Sequence, residues 1–207
     1  MKAIGGVRNM RKAHGAAALL GTAVAILLGG AVAAPALAHP GHVAGGLGAG
    51  AAHPFLGLDH LLAMVAVGLW AVRAEGAGPV LWRLPAGFLA AMAVGIGAGM
   101  AGLSVPGMES GMALSVIAFG LAVALALRPG TTAALAIVAA FGVVHGVAHG
   151  AEMPAAAAPL AYAAGVLLGT AALHGIGLSL RRLAGSTMAR AGGLTIAALG
   201  ALLVAAG

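Results

Sequence analysis

Apolar residues in this chain run in long blocks, and the polar residues gather in the gaps between them. Six blocks stand out: His53–Val72, Pro85–Leu103, Met108–Leu127, Thr131–Gly150, Leu160–Leu180 and Ala191–Gly207. Each is close to the ~20 residues that an α-helix needs to cross a bilayer. Pro79, Pro85, Pro106, Pro129, Pro154 and Pro159 fall at or between the block ends, where helix breakers belong. The connections are short, so consecutive helices are expected to pack as antiparallel neighbours. The pattern predicts an all-α polytopic membrane protein with six transmembrane helices. A seventh apolar run, Ala16 to Ala34, follows Lys2, Arg8, Arg11 and Lys12 and ends in Pro35-Ala36-Leu37-Ala38. A basic flank, an apolar stretch and a small-x-small site predict a signal peptide over residues 1–38, with the six-helix transmembrane domain at 39–207. An uncleaved first helix is the alternative, and it would leave the rest of the topology unchanged.

Composition narrows the class. The chain is 62% hydrophobic and 7% charged, against roughly 25% charged residues in a soluble domain, which excludes a soluble globular enzyme. The lack of cysteine excludes a disulfide scaffold and thiolate-held zinc or iron–sulfur sites. Long Gly- and Ala-rich runs argue against a β-barrel, whose strands alternate over short segments.

The formal net charge of +6 does not point to nucleic acid, because four of the ten basic residues lie in the expected leader. The other six are Arg73, Arg83, Arg128, Arg181, Arg182 and Arg190, all in alternate loops, while the opposite loops hold Glu109 and Glu152. The positive-inside rule puts the arginine loops in the cytoplasm. The mature N-terminus is then outside, as an exported leader also requires. Trp70 and Trp82 flank the first arginine loop, at interfacial positions. The lipid bilayer is thus an expected partner, and a homo-oligomer is left open.

Glycine predicts how the spans pack. Gly142, Gly146 and Gly150 recur every four residues, as do Gly95 and Gly99, and Gly165 and Gly169. Small residues at this spacing let helix backbones approach closely in lipid. The Gly/Ala-rich run at residues 45–52 reads as flexible or interfacial.

Against this background a few polar residues stand out. Ionisable groups within a span are costly unless paired, and their default reading is functional. The first span carries His53, Asp59 and His60; the fourth carries His145 and His149 and ends at Glu152; the fifth carries His174. The i, i+4, i+7 spacing of His145, His149 and Glu152 puts them on one helical face. Asp59 points about 100° from His60, which suits a partner holding the imidazole rather than a shared ligand. Pro54 and Gly57 weaken the helix ahead of Asp59, so an interrupted helix of the transporter type is expected there.

With the predicted topology, both clusters lie in the outer half of the membrane. Histidine plus carboxylate at an apolar depth suits a borderline divalent metal: nickel, cobalt, zinc or copper. His174 lies deeper, as an inner station. Met64 offers a soft donor but reads as core. After cleavage, the α-amine and ring of His39, with His42 nearby, form another ligand set. Pro40 has no N–H to complete a square of deprotonated amides. The bland alternatives are an interfacial cap for His53, interhelical hydrogen bonding for Asp59, His60, His145 and His149, and a solvated Glu152.

At these residues the chain resembles the HupE/UreJ family of bacterial membrane proteins. The resemblance covers essentially the whole mature chain. The first signature, His, five residues, then Asp-His, matches His53, Asp59 and His60, and continues through Leu62-Ala63-Met64 and Val67-Gly68. The second, His-Gly-x-Ala-x-Gly-x-Glu, matches His145, Gly146, Ala148, Gly150 and Glu152, with Val144 where an aromatic residue is usual. The resemblance implies a secondary nickel permease serving hydrogenase or urease maturation. Nickel is then the transported ion and not a catalytic cofactor, and His53, Asp59, His60, His145 and Glu152 are the functional positions. His149 is supported by spacing alone. No nucleotide-binding motif of the Walker type is present, so an ion gradient or diffusion would drive transport. Two alternatives remain from the residues: an intramembrane metal-dependent hydrolase using zinc held by His, Asp and Glu, and a non-conducting membrane partner of a metalloenzyme maturation complex.

Overall fold

The computed structural model describes residues 46–74 and 79–206. The expected leader and its cleavage site, His39, His42 and Glu75 lie outside these residues. Among the described residues every regular element is helical: α1 (Leu47–Ala52), α2 (Leu58–Ala74), α3 (Arg83–Met100), α4 (Met108–Ala124), α5 (Thr131–Ala151), α6 (Pro159–Leu183) and α7 (Ser186–Ala206). Short 3₁₀ turns at His53–Phe55 and Pro79–Trp82 lead into α2 and α3. Helices α3, α5, α6 and α7 are each long and apolar enough to cross a membrane. The bent pair Leu47–Phe55 and Leu58–Ala74 makes a fifth span if counted as one. At 17 residues, α4 is a shorter apolar helix, about 25 Å long at 1.5 Å per residue. The outward surface is apolar: Leu160 and Val94 are 87% and 70% exposed, as a lipid-facing surface requires. This is an all-helical membrane protein.

The first apolar block is not one continuous helix. The chain bends by 83° between the His53–Phe55 turn and α2, where Pro54 removes a backbone donor and Gly57 stands outside both helices. Most of the Gly/Ala-rich run is more ordered than its composition suggests, because residues 47–52 form α1 docked on α6. A Cβ on Gly50 would collide with the backbone oxygen of Tyr162, and one on Gly165 with that of Leu47. Gly165 and Gly169 therefore receive this short helix, which carries His53 at its end.

Consecutive helices are not the main neighbours that the short connections predict. Three tight pairs of non-consecutive helices build the rest, α3 with α5, α2 with α6 and α4 with α7, because helix partners are chosen by small-residue faces rather than by loop length. The glycine repeats of the second and fourth spans face each other, since a Cβ on Gly146 would strike the Met92 carbonyl and one on Gly99 the Val147 carbonyl. Gly68 and Gly177 do the same for α2 and α6.

Helices α3 and α4 end in the same turn. After α3, Leu103 N–H bonds to Ala98 O (3.0 Å) and Gly102 N–H to Gly99 O (2.9 Å), with Gly102 at φ 91. After α4, Leu127 N–H bonds to Ala122 O (2.9 Å) and Ala126 N–H to Val123 O (3.1 Å), with Ala126 at φ 54. Both are Schellman turns, whose left-handed position favours glycine. Ala126 is held there by neighbours that bind the adjoining carbonyls: Arg190 Nε donates to Ala124 O (2.9 Å) and Trp70 Nε1 to Leu127 O (3.1 Å).

Candidate metal centre

The break before α2 is what assembles the site. It lets His53 and His60 approach His149 from two directions, with ring centroids 5.0 Å and 4.5 Å from that of His149. His145, one turn deeper on α5, lies 5.3 Å from His60. The glycine ridge of α5 draws in α3, whose Phe88 touches His145 (5.6 Å) and His174 (5.3 Å). The result is a continuous series of rings: His53, His149 and His60, His145, Phe88, His174. His145, His149 and His174 are fully buried, and His60 nearly so.

At the mouth, His53 Nε2 lies 3.1 Å from Glu152 Oε2, and donor atoms of His53, His149 and Glu152 all lie within 4.8 Å of one another. Such a trio is within reach of one metal ion. The His53 hydrogen bond holds the Glu152 carboxyl below the usual carboxylate range, against an opposing effect of partial burial.

Further in, the ring tautomers are set by second partners. Asp59 Oδ1 accepts from His60 Nδ1 (2.9 Å) and from the His60 backbone N–H (2.8 Å). His145 Nδ1 donates to Phe141 O (2.9 Å), and His174 Nδ1 donates to Met64 O (2.8 Å). A carbonyl or carboxylate can only accept, so each neutral ring carries its proton on Nδ1 and its lone pair on Nε2. These Nε2 atoms are buried and, among the described residues, have no hydrogen-bond partner; neither nitrogen of His149 has one. Buried ring nitrogens without partners, backed by acceptors on the far nitrogen, are what metal-binding imidazoles require. Asp59 thus orients His60, as its direction on the helix predicts. Gly57 makes room for the pair, since a Cβ there would lie 2.8 Å from both Asp59 Oδ1 and His60 Nδ1.

A cavity of about 510 Å³ opens onto this group, lined by His53, Asp59, His60, Glu152 and also Glu109. Glu109, in the first turn of α4, had no role in the sequence reading, although it is one of only four acidic residues and was expected on the same side as Glu152. Tyr162, the single tyrosine, was also missed: its ring lies 5.9 Å from His53. Phe88 gave no signal in the sequence. Met64 is core, and its backbone oxygen rather than its sulfur takes part. The structure joins His53, Asp59, His60, His145, His149 and Glu152 in one group, with His174 reached through Phe88.

The profile described as HupE / UreJ protein matches residues 13–207. The chain belongs to the HupE/UreJ family. It is 41% identical over 156 residues to Protein HupE of Rhizobium leguminosarum bv. viciae, covering 74% of this chain and 80% of that one. No solved structure matches the chain. Within this HupE/UreJ chain the two signature stretches quoted above meet: His60 of the first packs on His145 of the second, and Glu152 of the second lines the cavity with His53, Asp59 and His60 of the first.

Proposed function

We propose that this protein is a secondary permease that carries a divalent transition metal, nickel by family, across the bacterial inner membrane for hydrogenase or urease maturation. The observation that carries the reading is the carboxylate-lined cavity leading to buried imidazoles whose Nε2 atoms have no hydrogen-bond partner among the described residues. Glu109 and Glu152 raise the local concentration of hydrated cations at the mouth. His53, His149 and Glu152 replace part of the hydration shell, and His60 and His145 take the ion deeper by exchange of ligands. His174, backed by Met64 O, receives it beyond Phe88. In this reading all six helices α2 to α7 span the membrane, the arginine end faces the cytoplasm and the carboxylate end the periplasm.

Family membership and a series of rings running inward to His174 favour transport over the hydrolase alternative. Nickel accumulation in intact cells tests the proposal, with His60→Ala and His145→Ala each expected to abolish it; uptake at the wild-type level would overturn it. Competition by cobalt, zinc and copper identifies the ion, because affinity order alone would favour copper. Uptake by proteoliposomes holding only the purified protein separates a permease from a non-conducting partner of a maturation complex.

A further inference from the structure

A second cavity, of about 230 Å³, lies at the opposite end of the bundle and is lined by Arg73, Arg181 and Arg190 together with Ser186 and apolar residues that include Leu69 and Val123. No aspartate or glutamate is among the described residues that line it. The three arginines come from three helices, the last turns of α2 and α6 and the first turn of α7. Arg190 uses Nε on Ala124 O and Arg181 uses Nη1 on Ala184 O (3.3 Å). Arg73 Nε is buried and has no hydrogen-bond partner among the described residues. A guanidinium has five N–H donors, so each of the three arginines lining the cavity keeps donors beyond the bonds just named.

We propose that this cavity binds a phosphate group. Three planar forks approaching from different helices suit a tetrahedral anion with several acceptor oxygens better than a planar carboxylate, which one or two forks satisfy. The first turn of α7 adds Ser186 and backbone N–H groups at the positive end of a 21-residue helix. With α2, α6 and α7 spanning the membrane as proposed above, the cavity lies at headgroup depth, where α2 and α6 end and α7 begins, and its wall is part apolar. Basic pockets between helices at this depth take the phosphodiesters of anionic lipids. A soluble phosphate ester or inorganic phosphate offers the same chemistry.

Native mass spectrometry of the full-length protein in detergent tests this, with phosphatidylglycerol, phosphatidylcholine or inorganic phosphate titrated separately. Phosphatidylglycerol is expected to bind about tenfold more tightly than phosphatidylcholine, and Arg73→Gln to remove that preference. Arg182→Gln, which deletes the same charge outside the cavity lining, is expected to keep it. If Arg73→Gln does not fold, Arg73→Lys serves instead: it retains the charge, loses the fork and should weaken binding several-fold. Saturable binding of inorganic phosphate that is lost in the Arg73 variants, without a lipid preference, supports the phosphate site and identifies a soluble ligand. Equal binding of both lipids with no phosphate binding overturns the proposal, as does a preference that Arg73→Gln and Arg182→Gln reduce alike.

Discussion

At one end of the bundle Asp59, Glu109 and Glu152 line a cavity of about 510 Å³ with His53 and His60; at the other, Arg73, Arg181 and Arg190 line one of about 230 Å³. The same helices supply both ends. Helix α2 contributes His60 and Arg73, α4 contributes Glu109 and is followed by Ala126, and α7 contributes Arg190 and Leu203. Ten charged residues beyond the expected leader are therefore enough to give the bundle an electrical direction. A divalent cation is drawn to the first cavity and repelled from the second. The turns differ as well. The carboxylate end closes α3 with Gly102, which takes the left-handed conformation freely, whereas the arginine end closes α4 with Ala126, held by the side chains of Arg190 and Trp70.

After the His60 and His145 variants above, the contrast is broken most severely by His149→Ala. This ring is shared by His53 and His60, so nickel uptake in cells should fall on the order of 100-fold, the upper range for loss of metal-site groups. Gly57→Ala comes next. Its methyl group would push apart Asp59 and His60, and an effect of about tenfold on metal affinity, read by isothermal titration of the purified protein, is expected for loss of an orienting partner. A variant binding metal as the wild type does would show that the Asp59 hydrogen bond does not matter.

Glu152→Gln should act more mildly and without pH dependence. The Glu152 carboxyl lies below the usual carboxylate range in the fold. Its charge, and any stability tied to it, is therefore present above the unfolded value and is lost only as pH falls through the lowered one. The ratio of wild-type to variant uptake should stay flat between about pH 5.5 and 7.5. A ratio that collapses within that window would mean the group titrates there.

The smallest effects belong to the arginine end. Arg190→Ala removes one charge-assisted hydrogen bond from a partly exposed group, and thermal unfolding should register a loss of about 1 kcal/mol with uptake unchanged. Ala126→Gly relieves a left-handed alanine but frees the unfolded chain, so a net gain of about 0.5 kcal/mol is expected in the same measurement.

Much of this was legible in the sequence. Block length and proline positions located α2 to α7, and glycine spacing marked the faces where helices approach closely, although not that α3 pairs with α5 rather than with a consecutive helix. The two histidine clusters were legible because ionisable residues are rare in apolar helices. What was not legible depended on three-dimensional meetings. Leu47 is the one bulky residue of the helix at 47–52, so its order is explained by Gly165 and Gly169 on a distant helix. Glu109 looks like an ordinary solvated residue until α4 is seen beside the His53 turn, and Phe88 looks like any core aromatic. The convergence of Arg73, Arg181 and Arg190 required helix ends to be superposed, which spacing along the chain does not encode.

The fixed tautomers have a consequence for kinetics. A ring tied through Nδ1 to Asp59, Phe141 O or Met64 O cannot turn to follow a departing ion without losing that bond. In the proposed permease the ion would therefore hop between stationary points, each offering one nitrogen. Flow through such a row is fastest when successive wells are nearly equal in depth, deep enough to admit the ion and shallow enough to release it. A substitution that made any one point bind more tightly would turn a conduit into a trap, and would slow transport while improving affinity.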